Sequence, residues 1–554
     1  MNDATTLAAL ATEYHDFRQR SSPTSAHLEG DYRFADRFED ASRGAEDREI
    51  AEDRAFAARA RALPELDLGP EDRITREMIA FDADARADVA AARLPEFGAD
   101  PIFGPQVSLA IMVPRLPLQT APVAEAMIPK YRLIALWFRD LADRLREGVA
   151  DGRTPAEFAV RMSVEQLNAW LAADVAGDPL LAVVPPAGLP DPDGWLAELR
   201  RIVAAEIRPA AAMYRDVLRD EVLPQARPDE RCGLSWLADG DDVYRRLIAF
   251  YTTLPISAEE VHRIGLRQVE SLAHEYRALG PTVVGSADLA TIFERLRSDP
   301  LLHHTNGDEV VGASRAALHK AKAAMGDWFG RLPRAGCDVA ATLNGAQAFY
   351  FPPASDGSRD GVFFMNTAVP SDWGRYQIEA TAYHEGIPGH HLQIAIGTEL
   401  ESVPEFRKRA FMVAHGEGWG LYAERLADEM GLYSTPLDRM GMLCADSMRA
   451  CRLVVDTGMH AFGWSRRRAI DYMVANSPMR EGHVAAEVDR YAVTPGQALG
   501  YMIGRLEIER IRAAAEETLG ERFDIRAFHD AVIGSGLMPL PILARHVRDW
   551  AASA

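Results

Sequence analysis

Residues 373–397 read WGRYQIEATAYHEGIPGHHLQIAIG, which sets His384-Glu385 just ahead of Gly389-His390-His391. Adjacent His and Glu suit zinc hydrolysis: the imidazole offers a neutral nitrogen ligand, and the next carboxylate serves the metal-bound water rather than the metal. Two ligands usually sit at i and i+4 on one helix face, but the residue four after His384 is Pro388, which cannot coordinate. His390 would lie roughly 9 Å along a regular helix and about 240° round it. His391 returns to the face of His384, roughly 10.5 Å away. The helix is therefore expected to be interrupted at Pro388-Gly389, where proline lacks an amide hydrogen and glycine accepts unusual dihedrals. Spacing alone leaves the second ligand open between His390 and His391.

A hydrolytic zinc site needs a third protein ligand and one open position. The next helix, 405–430, contains HGEGWGLYAERLADEMG, and Glu417, Leu421 and Glu424 fall on one face at i, i+4 and i+7. Glu417 stands between two glycines that would let helices approach closely, which makes it the third-ligand candidate. Glu424 is then expected to support the site or to join an ion pair near Arg425.

Upstream, 341–351 and 361–369 are short, aromatic or β-branched runs bounded by PPASDGSRDG, read as a β-hairpin with a long loop. Elsewhere helical periodicity dominates. Residues 122–149 repeat apolar positions and end near a glycine; 192–226 read as a long amphipathic helix broken at Pro209. Ser257 opens a capping box with Glu260, and Gly280 is the expected stop. Residues 309–330 and 501–518 behave alike, and the charge-dense first hundred residues read as helices with a solvated face. The Pro/Gly run at 184–194 is expected to be a loop. The expected architecture is mainly α: a large helical body with a deep channel and one small β-hairpin or sheet near the active site. Its regions are 1–190, 191–340 and 341–554, the last catalytic, joined as one continuous body.

The 554 residues carry 82 acidic against 61 basic side chains, a formal charge of −21, and 48% are hydrophobic. Such a balance disfavours nucleic acid and anionic membrane surfaces, which are bound through excess Lys and Arg. No apolar run reaches 18 residues, and the first residues show no basic-then-apolar leader, so neither a membrane span nor a secretory signal is expected. Four cysteines cannot frame a disulfide scaffold; Cys444 and Cys451 read as core residues, and a cytoplasmic location is expected.

HEGIPGHH with EGWGLYAERL resembles the bacterial family called domain of unknown function 885, marked by an H-E-x-x-x-G-H-H segment. AFYFPPASDGSRDGVFFMNT, TGMHAFGWSRRRAIDYM, RYAVTPGQALGYMIGRLEIERIR and FHDAVIGSGLMPLPIL are similar to its other segments, so the resemblance is strong over about 340–545. It implies a helical zinc metallopeptidase, gluzincin-like. More distantly, E-G-W-x-L-Y-x-E is similar to a segment of aminopeptidase N-type enzymes whose first Glu binds zinc, which carries that role to Glu417. In thimet oligopeptidase-type and angiotensin-converting-type enzymes the second metal His commonly follows a Gly, which favours His390. Beside these, Tyr501 and Tyr491 bracket a Pro-Gly-Gln turn and are expected, with His460, to steady an oxyanion. Arg452 or Arg505 is expected to bind a substrate carboxylate, and the hairpin edge at Tyr350 and Asn366 to pair with an extended peptide. His303-His304 reads as an exposed loop with no role. The expected function is hydrolysis of an amide bond in a peptide or small peptide-like substrate by one Zn²⁺ per chain, with Glu385 as base. The alternatives are a non-peptide amide or biosynthetic intermediate as substrate, and a non-catalytic helical binding protein.

Overall fold

The computed structural model describes residues 3–65, 68–354, 357–401 and 403–554. Among them the chain is mainly α with one three-stranded sheet. It divides into two compact units. Met1–Pro64, Ile79–Arg246 and Gly463–Arg467 form the first; Glu65–Met78, Leu247–Phe462 and Arg468–Ala554 form the second. The joins expected at 190 and 340 thus fall within units. The Pro/Gly run at 184–194 stays inside the first because Leu189 within it and Trp195 just after it are buried in the same core, and Trp195 Nε1 donates to Ala124 O at 2.7 Å.

That core forms around the helix Ala121–Ala150, whose stripe Met127, Tyr131, Ile134, Phe138, Ala142 and Leu145 recurs at steps of three and four. It meets Ile202, Tyr214 and Val217, and burying each large apolar side chain contributes roughly 1.5–3 kcal/mol. Gly148 does not stop this helix; a Cβ there would overlap the Glu96 carbonyl, so the residue serves close packing. The stretch 192–226 is interrupted differently from expectation. Two π-helical segments, Val203–Ile207 and Leu218–Val222, flank the helix Arg208–Val217. Pro209 sits in its first turn, where a missing N–H is tolerated.

In the second unit the Ser257 hydroxyl accepts from Glu260 N at 3.2 Å, as the capping signal predicts. The helix Ala258–Val284 then runs past Gly280 and ends at Gly285, whose φ of +74° is the left-handed conformation a C-terminal glycine supplies. The helices Gly307–Trp328 and Leu499–Leu519 lie within two residues of their expected bounds. The sheet has three strands, β1 (Cys337–Thr342), β2 (Ala348–Phe351) and β3 (Gly361–Asn366), in the order β1-β3-β2. The expected hairpin is β2 with β3, paired antiparallel from Ala348↔Met365 to Phe351↔Val362; Ser355 and Asp356 of its loop lie outside the described residues. β1 pairs parallel with β3 and was not anticipated, because CDVAAT carries little aromatic or alternating signal. His303 and His304 are buried, not exposed: His303 Nε2 bonds Leu296 O at 3.0 Å, and His304 Nδ1 faces Glu309 at 3.3 Å.

Candidate metal centre

The His-Glu helix, Gln377–Glu385, ends where the sequence said it must, and a second helix, His390–Thr398, starts afresh. In the break, Gly386 adopts φ −98°, ψ −119° and Gly389 φ −82°, ψ −129°, and a Cβ on Gly389 would overlap the His384 carbonyl. Only glycine fits so tight a return of the chain. The turn carries His390 round to His384, their ring centroids 4.7 Å apart.

The Glu417 helix, Val413–Glu429, supplies the third group. His384 Nε2 lies 3.5 Å and His390 Nε2 3.2 Å from Glu417 Oε2, and the donor atoms of these three residues fall within 4.8 Å of one another. Glycines permit the approach. A Cβ on Gly420 would stand 2.6 Å from His384 Cε1, and one on Gly418 would stand 2.5 Å from Gly504 Cα on the Tyr501 helix, Leu499–Leu519. Glu424, two turns along from Glu417, accepts from or faces His384 Nδ1 at 2.8 Å. It is 1% exposed, and its other oxygen has no partner. This is the arrangement that fixes a ligand histidine's tautomer, with a proton on Nδ1 and the lone pair on Nε2.

The electrostatics follow from crowding two imidazoles on one carboxylate. Burial acts to lower the His384 pKa, but hydrogen bonds to Glu417 and Glu424 outweigh it and raise the ring to about 9. For Glu417 burial acts upward, and His390 and His384 outweigh it, holding the carboxyl well below the usual range. Glu385 is half-buried, and among the described residues none makes a hydrogen bond or ion pair with its carboxylate.

His391 stands apart from this cluster. Its Nδ1 meets the Tyr350 hydroxyl at 2.9 Å and its Nε2 the Ala335 carbonyl at 3.1 Å. Tyr350 therefore anchors His391 against the sheet, and its hydroxyl is occupied. The Asn366 amide is likewise spent locally: Nδ2 donates to Gly345 O at 3.1 Å and Oδ1 accepts from Ala368 N at 3.1 Å.

Of the two tyrosines only Tyr501 faces the cluster. Its ring stacks on His384, with centroids 6.4 Å apart and planes at 17°; burial and the nearby Glu417 charge raise its hydroxyl to about 12. Tyr491 is fully buried and its phenol is engaged, donating to Glu487 and accepting from Arg452 Nε at 2.8 Å. His460 is buried with Nε2 on the Tyr491 carbonyl at 3.0 Å. These two correct the expectation of an oxyanion role, since each bonds inside the protein. Arg505 is corrected too: its guanidinium pairs with Asp446 at 2.7 Å and Gln268 at 3.1 Å. Arg452 lies over the Tyr501 ring, its guanidinium carbon 4.4 Å from the centroid. Arg449, which the sequence reading passed over, sits three residues earlier on the same helix, 5.8 Å from that centroid. Its spacing from Arg452 was the available signal.

The fold recurs in solved structures. One, of a "putative lipoprotein from Colwellia psychrerythraea", is 24% identical and superposes with a TM-score of 0.91 over 100% of both chains. Another, a "putative lipoprotein of unknown function from Shewanella oneidensis", is 16% identical with a TM-score of 0.77 over 97% of this chain and 99% of that one. At these identities the likeness is one of fold. Comparison with curated proteins finds no match. The pattern of the family described as "Bacterial protein of unknown function (DUF885)" spans residues 23–547, and with nearly the whole chain so matched, the protein belongs to that family.

Proposed function

We propose that this protein is a zinc-dependent hydrolase of amide bonds in peptides or small peptide-like substrates. The observation that carries the reading is the convergence of His384 Nε2, His390 Nε2 and Glu417 Oε2, with the charge of the adjacent Glu385, unpaired among the described residues, felt at His384. Two imidazole nitrogens and one carboxylate oxygen form the donor set of zinc sites that keep a position open for water, and His384, His390 and Glu417 would hold one Zn²⁺ per chain. Bound there, the ion supplies Lewis acidity and lowers the pKa of water towards 7.

The chain's own groups do the rest. Glu424 keeps the proton on His384 Nδ1, so that Nε2 presents its lone pair. Glu385 takes a proton from the water that attacks the carbonyl carbon, and returns it to the leaving nitrogen as the C–N bond breaks. Tyr501 donates its phenolic hydrogen to the oxygen that gains negative charge.

Elemental analysis tests the reading: about one zinc per chain is expected, lost in His384→Ala and in Glu417→Ala. Protein that takes up no zinc at neutral pH overturns it. Glu385→Gln is expected to retain zinc and lose roughly 10²–10⁴-fold in hydrolysis; loss of zinc instead would make Glu385 a ligand. A cytoplasmic location is part of the proposal and is checked by cell fractionation. Recovery with membranes, the direction in which the description of the two similar structures points, would overturn that part alone.

A further inference from the structure

On the helix Pro436–His460, Arg449 and Arg452 both approach the ring of Tyr501, and not all of their donors are met. Glu487 is shared by Arg452 Nη2 at 2.9 Å, Arg490 Nη2 at 3.0 Å and the Tyr491 hydroxyl. Glu424 is committed to His384, leaving Arg449 Nη2 3.9 Å away, too long for a hydrogen bond. Among the described residues, Arg449 otherwise hydrogen-bonds only the Ala445 carbonyl, at 3.3 Å. Two of their donors, Arg449 Nε and Arg452 Nη1, are buried with no acceptor among the described residues. An unpaired buried donor on a charged group is costly, and the partner that relieves two guanidiniums together is an anion. A carboxylate matches their fork geometry. Arg505 also has a buried Nε with no acceptor among the described residues, but Asp446 and Gln268 hold its two terminal nitrogens and it does not lie against the Tyr501 ring.

We propose that Arg449 and Arg452, beside Tyr501, bind the C-terminal carboxylate of a peptide substrate, so that cleavage falls one to three residues from the C-terminus. The inference rests on the hydrolase reading above. The limit on length is geometric. The Arg452 guanidinium is 4.4 Å from the Tyr501 centroid, which is 6.4 Å from that of His384. At about 3.3 Å per extended residue, roughly three residues bridge that span. In the reaction, water's hydroxyl joins the acyl carbon, its remaining proton goes to the leaving nitrogen, and the short fragment departs with its carboxylate intact.

The test uses the zinc-loaded full chain with N-acetyl-tetraalanine, as the free acid and as the C-terminal amide. The acid is expected to show a kcat/KM about 10- to 100-fold higher, the scale of hydrogen bonds to a charged group. Because Arg452 also holds Glu487 and Tyr491, the variant is made at Arg449. Arg449→Gln should raise KM for the acid and bring the acid-to-amide ratio towards one, and Arg449→Lys should restore part of it. A second readout is independent of turnover: calorimetric binding of both probes to zinc-loaded Glu385→Gln protein, where tighter binding of the acid supports the inference. Equal binding, no binding of either probe, or equal rates on acid and amide overturns it. Protein without zinc overturns the hydrolase reading instead, and undiminished hydrolysis in Glu385→Gln overturns only the assignment of Glu385 as base.

Discussion

His384 carries two demands on one ring, Nδ1 on Glu424 and Nε2 on the cluster, and a pH dependence follows. With its pKa raised to about 9, the metal-free ring is protonated across the neutral range, and zinc must displace that proton. Apparent zinc affinity is therefore expected to rise about tenfold per pH unit up to about 9, as measured by chelator competition; a flat profile would mean the ring is already neutral. The stability of the metal-free protein should run the other way. A raised folded-state pKa contributes stability that is full below the ordinary value of 6.5 and lost as pH rises through 9, so the denaturation midpoint should fall across that window. The residue scale also separates the adjacent histidines. His390→Ala should abolish zinc binding, because its Nε2 is the one on Glu417. His391→Ala should keep zinc and instead loosen the contact of Tyr350 and Ala335 with the turn. Zinc retained in His390→Ala would refute this assignment.

At the scale of elements, the site depends on how closely the Glu417 helix lies against His384. Gly420→Ala would place a methyl group 2.6 Å from His384 Cε1. Overpacking of this kind costs about 1–3 kcal/mol, and it falls on a ligand, so zinc affinity should drop at least as sharply as the melting temperature. Gly312→Ala, in the helix Gly307–Trp328 with nothing within 4 Å, is the control. It should be neutral or stabilise by about 0.4–1 kcal/mol. Equal effects on zinc from both variants would show that helix proximity does not set the ligand geometry. The break between the two histidine helices was legible, because Pro388-Gly389 cannot continue a helix whatever surrounds it. The parallel pairing of β1 was not, because it depends on a partner 24 residues later and on no pattern within CDVAAT.

At the scale of the whole molecule, each unit has a buried ion network. In the first, Glu96 is 2% exposed and receives Arg43 at 2.6 Å, Arg144 at 3.2 Å and Arg153. Glu96→Ala would strip the buried Arg144 of that partner, a change that costs about 3–5 kcal/mol when one member of a buried pair is removed; chemical denaturation measures it, and a loss below about 1 kcal/mol would mean Glu46 and Glu147 suffice. What the sequence determined by itself is local. Apolar steps of three and four made the helices, Ser257 capped one, and His384, Glu385 and a forced turn at Pro388-Gly389 marked the candidate centre while leaving His390 and His391 as alternatives. Glu417 was reached from its glycine neighbours, one helix on. The tertiary structure alone decided which polar side chains are spent. His460 and Tyr491 look as available in the sequence as Tyr501, but each is claimed inside the protein, His460 by the Tyr491 carbonyl and Tyr491 by Glu487 and Arg452; Arg452 and Arg505 are each held by internal partners too, and each keeps one buried nitrogen with no acceptor among the described residues. The reason is physical: a helix period says which residues share a face, as Glu487 and Tyr491 do, whereas the remaining partners lie 31 to 59 residues away and are set by what packs against the group.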